Sequence, residues 1–600
     1  MPTPTGSGKG FYSWKARDVT GVTYVSVPTP GLRPNTSLPQ LENTLAKSDL
    51  ISRAIASDEI ADYRTYQDKT WIIKIYDFLW REIGELGDDV MEMTGTDPRN
   101  AVPTATIKIK GGSEYVQTFM NCQTTMVGVT VETGGMRLAY YVDSFDWEYN
   151  KNEWVGTAHC LGVWDVLNYL QIWPNWLLPI QTQIPGRAIF IWGLRTVIAS
   201  MVGECALRIQ SGMWEWINNM LSLNPDVRAW FGSVLASNGG TLYDRLKTPI
   251  YVSPVNPLLD TSPIVARTVR MESCGQVIQD ITRAYGVTVT VELWLPGDEQ
   301  PDEYAKAFPS MRLHQPTYVV KAVDRSQIVG PTGTILDSVL RTVVDLIGSF
   351  FGDIGGVIAS VPGMQGKFTS PLLGVNYVVP WAVIVAPDPG DKGSVASCKL
   401  SFHTQKGWQH IIGGRSPKWL NDLLNFIFGW IIDAISILLG FIGIPSSLFD
   451  GFLSNSILAF QLIEHYGRRT SFGPYHPCIE VMHPTASAPY NVETIFAFFN
   501  AFWDSRGYVS GQFVFRDGEV YKLGVDIFKG GLVSLVYDNR KRMLTDYIEN
   551  VMYRFTPDAR DVLVQVGDGK AEEAPLAKHQ RFISGVLEAV NTITMAPQSG

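Results

Sequence analysis

A chain of 600 residues is long enough for roughly three to five domains with substantial cores. Hydrophobic residues make up 45% of it, charged residues only 18%, and the net charge is −9. That balance speaks against nucleic-acid recognition, which needs a basic face.

Met1–Thr20 carries no apolar h-region, so no secretory signal is expected and the chain reads as made and assembled in the cytoplasm. Residues 1–40, rich in Pro, Thr and Gly, read as an extended arm, and Leu41–Ile60 and Thr70–Ile83 have mixed helical character. Strand signals follow at Thr106–Lys110, Met126–Glu132 and Met136–Val142, bounded by Gly-Gly turns at 111–112 and 134–135. Residues 160–235 read as mainly helical and aromatic, with a short apolar patch at Ile189–Met201. Next come a strand at Tyr251–Pro254, a helix near Cys274–Tyr285 and an alternating strand at Val287–Leu295 that ends in the turn Pro296-Gly297-Asp298. Residues 300–330 read as a polar connection and 367–414 as strands and loops. After Leu453, helices are expected through His465 and over Val492–Trp503. A β-rich tail follows (Tyr508–Phe515, Leu532–Tyr537, Tyr547–Phe555, Val562–Val566), then a final amphipathic helix over Leu576–Thr592.

Two apolar stretches punctuated by aspartates stand out. Ile335–Val361 carries Asp337, Asp345 and Asp353; Trp419–Ile444 carries Asp422 and Asp433. Pro362 and Pro445 close them. Between Leu423 and Ile444 there are 14 Leu, Ile or Phe residues, each favouring bilayer insertion by roughly 0.3–0.6 kcal/mol. Asp433 opposes insertion by about 2.5–3.5 kcal/mol at a bilayer centre, and Asn and Gly residues add to it. The balance lies near zero, so this helix can enter a bilayer but is not driven there. The first stretch, with its three Asp, Arg341 and Gly355-Gly356, reads as amphipathic. Such segments are hidden by a core, by copies of the chain, by a partner or by a membrane. The candidate contacts are Leu340, Val344, Ile347, Phe350 and Phe351 on the first. On the second they are Leu424, Ile427, Phe428, Trp430, Ile431, Ile435, Leu438, Leu439 and Phe441.

Motifs of catalysis are hard to find. Gly6-Ser7-Gly8-Lys9-Gly10 lacks the first glycine of a phosphate loop and the Ser or Thr that holds magnesium. The six cysteines lie far apart without a C-x-x-C pair and read as buried reduced thiols. His403, His410 and the loose set His476, Cys478 and His483 read as structural rather than as zinc ligands. His159 and Cys160, adjacent in sequence, point apart and do not form a nucleophile and base. The acidic pairs Asp298-Glu299 and Glu572-Glu573 read as solvated. No catalytic, cofactor-binding or metal-binding residue is assigned.

Several strings, in order along the chain, resemble the minor tail protein family of long-tailed phages of actinobacteria. They are Leu258-Leu259-Asp260-Thr261-Ser262-Pro263, Glu292-Leu293-Trp294-Leu295-Pro296-Gly297-Asp298, Gly413-Gly414-Arg415-Ser416-Pro417-Lys418-Trp419, Trp503-Asp504-Ser505-Arg506-Gly507-Tyr508 and Val566-Gly567-Asp568-Gly569-Lys570-Ala571-Glu572-Glu573. The likeness spans most of residues 180–595 and is weaker over the first 150. That family is similar to the tail-tip hub proteins of siphophages. The resemblance implies a homotrimer that closes the tail tube, meets the distal tail and tape-measure proteins, and carries other minor tail or receptor-binding proteins at its sides. It implies a place at the virion tail tip. From the residues themselves no cofactor is expected, and the apolar helices read as a plug of the tip before infection that contacts the host membrane when the tip opens. The corresponding fold is α+β and multidomain, with β-rich, barrel-like hub domains and inserted long hydrophobic helices. The expected division is 1–150 (arm and β-rich domain), 151–330 (mixed α/β with the aromatic helical region), 331–455 (the two apolar segments) and 456–600 (C-terminal β-rich domain). A tail-associated cell-wall hydrolase, a receptor-binding adhesin and a free-standing pore-former are the competing classes. No hydrolase motif, fibrous repeat or lectin-like end marks the first two.

Overall fold

The computed structural model describes residues 71–567 apart from 134–135, 151, 212–217, 220, 223–248, 284, 352–357, 362–366, 378–379, 388, 391–394, 414–459, 465, 485–504, 519–520, 539–541 and 558. The described chain is mostly β, in several sheets with few helices, and it divides into two compact units. The larger is built from residues up to Leu400 and from Ser510 onward; the smaller comes from Ser401–Val509.

The larger unit is organised by one antiparallel sheet. Its strands run in the order Tyr508–Arg516, Arg560–Val566, Arg542–Phe555, Val90–Pro98, Thr104–Lys110, Glu153–Gly162, Met136–Asn150, Gly128–Thr133, Trp71–Tyr76 and Glu82–Glu85. β-Branched and aromatic residues at alternate positions suit this pleated surface. In Thr104–Lys110, Ala105, Ile107 and Ile109 are buried while Thr104, Lys108 and Lys110 face out. The register joins segments remote in sequence: Pro98 sits opposite Asn550 and Met93 opposite Phe555. Strand Arg542–Phe555 also serves a branch, pairing its first half with Leu532–Tyr537, which runs parallel to Ala382–Val385.

This sheet curls until side chains from distant strands share one core. The Trp71 indole donates to Asp517 Oδ2 at 2.8 Å and stacks on Phe555, ring centroids 5.8 Å apart. The buried Tyr140 and Tyr553 hydroxyls are hydrogen-bonded to each other. Gly95 is demanded here, because a Cβ would lie 2.2 Å from the Tyr553 ring. The curl stops short of the expected barrel: among the described residues no sheet closes, and side chains rather than a ladder bridge Trp71 to Asp517.

A second layer packs on this sheet. Strands Val287–Trp294 and Thr317–Asp324 pair antiparallel, and Ile250–Val252 joins parallel to the latter. Strands Ala188–Gly193 and Ile264–Val269 pair beside them, and helices Leu194–Ser211 and Cys274–Thr282 fill the space between. Tyr76, Trp80, Ala139, Val163 and Leu293 form the apolar seam to the large sheet. A polar seam runs alongside. Asn100 donates to Thr282 Oγ1 and Val287 O and accepts from Val289 N; Arg99 pairs with Glu549 at 3.0 Å; Lys529 pairs with Asp97 at 2.5 Å.

Several expectations are corrected. Thr70–Ile83, read as partly helical, holds strand Trp71–Tyr76, since Trp71, Ile73 and Ile75 alternate into the core. Residues 300–330, read as a connection, contain strand Thr317–Asp324 at the centre of the second layer. Ile189–Met201, an apolar patch in a region read as mainly helical, is a strand ending at Gly193 and the start of a helix. The helix expected through His465 is strand Phe460–Glu464 followed by helix Tyr466–Phe472. The helices expected over Val492–Trp503 and Leu576–Thr592 lie outside the described residues.

The smaller unit holds a sheet in which Gln409–Gly413 lies between Phe460–Glu464 (antiparallel) and Glu480–Pro484 (parallel), with helix Tyr466–Phe472 beside it. Buried Arg468 donates to Lys406 O, Gly407 O and Ser505 Oγ, and burial pushes its guanidinium down to about 10.

Candidate functional site

Among the described residues of the first apolar stretch, Ile335–Phe351 is a helix and Ala359–Ser360 a short strand paired with Phe368–Thr369. No described helix is long and apolar enough to cross a membrane. The second stretch, with Leu424, Ile427, Phe428, Trp430, Ile431, Ile435, Leu438, Leu439 and Phe441, lies outside the described residues.

The helix begins at a polar knot. The buried Asp337 carboxylate accepts from Thr332 N at 3.0 Å, Thr332 Oγ1 at 2.7 Å and Gly333 N at 2.7 Å. A negative charge in the first turn also favours the helix dipole. Ser338 donates to Asp260 O and Ser262 O at 3.1 and 2.6 Å. One turn on, Arg341 donates to Thr261 O (2.8 Å), Asp324 Oδ2 (2.9 Å) and Ser326 Oγ (2.9 Å). Burial alone would push the Asp324 carboxyl up, but the Arg341 guanidinium and Ser326 more than offset this and hold it below its ordinary value.

The segment that receives these bonds is itself tied down. Asp260 is fully buried and accepts from Thr196 N and Oγ1 at 2.9 and 2.7 Å, and from Ser262 N and Oγ at 3.0 and 2.7 Å. It thereby satisfies the Thr196 amide in the first turn of helix Leu194–Ser211, while Ser262 Oγ accepts from the Arg195 amide. Gly193 must lack a side chain, because a Cβ would sit 2.4 Å from Asp260 Oδ2. Thus the Leu258–Pro263 string is a structural clamp between two helices.

Among the expected contact residues, Leu340 is half-buried and Val344 fully buried, in a small core with Ile328, Ile358, Phe368 and Val375. Ile347, Phe350 and Phe351 lie on the helical backbone, and their side chains are outside the described set. Outward-facing residues went unread in the sequence: Leu336 is 60% exposed and Val339 45%. Their spacing of three, opposite the inward Asp337-Ser338-Arg341 face, was the available signal. Leu258 and Leu259, just before Asp260, are also exposed, as is Trp192, whose Nε1 donates to Pro257 O at 2.8 Å. One clamp therefore carries an exposed apolar rim.

Elsewhere, polar groups that drew attention in the sequence have structural partners. His159 faces Asp146 at 3.1 Å, while Cys160 points into the core, where burial pushes its thiol up to about 12. His403 stacks on Tyr508, His410 is buried near Arg468, and His476 stacks on Phe472 and accepts from Cys478 N. Asp298 is not merely solvated: it pairs with Arg137 and accepts from Leu295 N, closing the turn expected there. Among the described residues no group of three His, Cys, Asp or Glu is arranged to hold a metal.

A family profile described as Siphovirus ReqiPepy6 Gp37-like protein matches residues 72–568. The chain belongs to that family. This bears out the resemblance to siphophage tail proteins drawn from the collinear strings. No curated protein matches. Among solved structures, the chain is similar to the prophage MuSo2 43 kDa tail protein from Shewanella oneidensis. Identity there is 8% and the TM-score 0.36, with 84% of this chain and 99% of that one covered. A tail protein from Neisseria meningitidis gives 7%, 0.36, 84% and 99%. Prophage tail protein gp18 from Listeria monocytogenes gives 9%, 0.32, 86% and 99%. Likenesses this distant leave the finer function to be argued from the chain itself.

Proposed function

We propose that this siphovirus family member is a non-enzymatic hub at the tail tip, a homotrimer that closes the tail tube and opens it for DNA delivery. The carrying observation is the clamped helix: its polar face is fixed internally by Asp337, Ser338 and Arg341, while Leu336 and Val339 face outward beside Leu258 and Leu259. An anchored apolar rim suits a surface covered by another copy of the chain. Residues 419–444, with a near-zero insertion balance, are in this reading the plug, hidden within the oligomer first and able to meet the host membrane at ejection. Distal tail and tape-measure proteins lie above the hub, and other minor tail or receptor-binding proteins at its sides.

Imaging of the intact tail tip tests this: three copies with residues 335–351 and 419–444 around the axis support it, and peripheral single copies refute it. In phage carrying Ile431→Asp with Ile435→Asp, loss of tip integrity or of DNA delivery is expected; normal infectivity sinks the plug assignment. Clearing of host cell wall by purified protein in zymography overturns the non-enzymatic reading.

A further inference from the structure

Two thiols meet in the core of the helical layer. Cys205 lies in the second half of helix Leu194–Ser211, and Cys274 opens helix Cys274–Thr282. Both are buried, and their Sγ atoms are 3.7 Å apart although the residues are 69 positions apart in sequence. Cys274 Sγ donates toward Cys205 Sγ, which in turn donates to Gln171 O at 3.3 Å. Arg208, one turn beyond Cys205, donates to the same Gln171 O at 2.9 Å and lies 4.1 Å over the Trp173 ring. Gln171 is exposed and Arg208 and Trp173 partly so, so residues around Cys205 reach solvent.

This arrangement differs from a pair of inert thiols packed as small apolar groups. The Cys274 hydrogen bond and the Arg208 guanidinium favour the Cys205 thiolate and hold its proton less tightly than usual, while Cys274 is pushed the other way. That asymmetry suits Cys205 to act as nucleophile and Cys274 as resolving thiol. Bonding requires the two sulfurs to approach by about 1.7 Å, to the ordinary S–S length of about 2.05 Å.

We propose that Cys205 and Cys274 form a latent disulfide, open while the chain folds in a reducing cytoplasm and closed by a hydroperoxide once the protein is released into an oxidising medium. The Cys205 thiolate attacks the peroxide O–O bond, giving a sulfenic acid and releasing hydroxide or alkoxide. The Cys274 sulfur then displaces the sulfenic oxygen as water. With hydrogen peroxide, two thiols and one peroxide give one disulfide and two waters: the sulfurs lose two electrons and the peroxide gains them. The closed bond staples the helix held by Asp260 to the helix that packs on Val287–Trp294.

The test uses the full chain, purified under reductant, desalted, treated with hydrogen peroxide, then denatured, alkylated and digested. Expected are the loss of two of the six thiols, a Cys205–Cys274 linked peptide that dithiothreitol removes, and a melting transition raised by roughly 2–5 °C. Cys205→Ser and Cys274→Ser should each abolish the linked peptide and the shift. Recovery of both cysteines fully alkylated after oxidation, a bridge from either to another cysteine, or sulfinic acid at Cys205 without the bridge overturns the proposal. Should the serine variants fail to fold, the mapping of the unmutated chain decides alone.

Discussion

Arg341→Ala removes three hydrogen bonds at once, to Thr261 O, Asp324 and Ser326. With side-chain exposures of 8% for Arg341 and 13% for Asp324, these bonds are largely shielded from bulk solvent. Asp324 is left as a buried carboxylate with the Ser326 amide. Removing one partner from such a pair destabilises by about 3–5 kcal/mol. As an opening equilibrium for the helix, that is between roughly two and four orders of magnitude. Native-state hydrogen exchange read by mass spectrometry is the assay. Protection should fall together in 335–345 and in Thr317–Asp324, while the strands around Val90–Pro98 keep theirs. Arg341→Met combined with Asp324→Leu, which leaves no orphaned charge, should recover most of the loss. The pH dependence has a definite sign. Asp324 is held below its ordinary value of 3.8, so its contribution is present above that value and lost as pH falls through the lower, folded one. The native helix should therefore lose protection below about pH 4. Protection in Arg341→Ala within tenfold of the unmutated chain, or a double variant no better than the single, would refute the clamp.

Burial pushes the half-buried Glu204 carboxyl up to about 7, so the folded state prefers it protonated and is progressively destabilised as pH rises from 4.5 to about 7. Glu204→Gln should melt higher than the unmutated chain at pH 8 and equally at pH 4; equal transitions at both values contradict this. Gly95→Ala drives a Cβ into the Tyr553 ring, which is fixed by Tyr140 and Trp71, and should destabilise by about 1–3 kcal/mol. Gly112→Ala, which meets open space, is the control, and equal denaturant midpoints for the two would show that the sheet core yields freely.

The strands that alternate cleanly were legible: Leu532–Tyr537 and Val287–Trp294 fall within a residue of their expected limits. Helix Cys274–Thr282 was legible too, with its one buried face and Ser273 cap. Thr317–Asp324 was not, because it is flanked by sheet partners, buried over most of its length and interrupted by Lys321, which reads as loop until its bond to Pro301 O is known. The apolar content of 335–351 was evident, but its orientation depended on where Asp337, Ser338 and Arg341 find partners. Those partners, Thr332, Asp260, Ser262 and Asp324, sit at separations no local pattern encodes. The thiol pair escaped for the same reason: spacing in sequence says nothing about two helices that cross at Cys205 and Cys274.

The ladder between Val90–Pro98 and Arg542–Phe555 sets a schedule for synthesis. Pro98 leaves the ribosome long before its partner Asn550, and at about 5–20 residues per second the interval is roughly 20–90 s. Throughout it, strand Val90–Pro98 has one side paired with Thr104–Lys110 and the other bare, a template for wrong neighbours. The nascent chain is therefore most vulnerable to aggregation over the roughly 20–90 s before its last strands emerge, and slower translation lengthens that exposure.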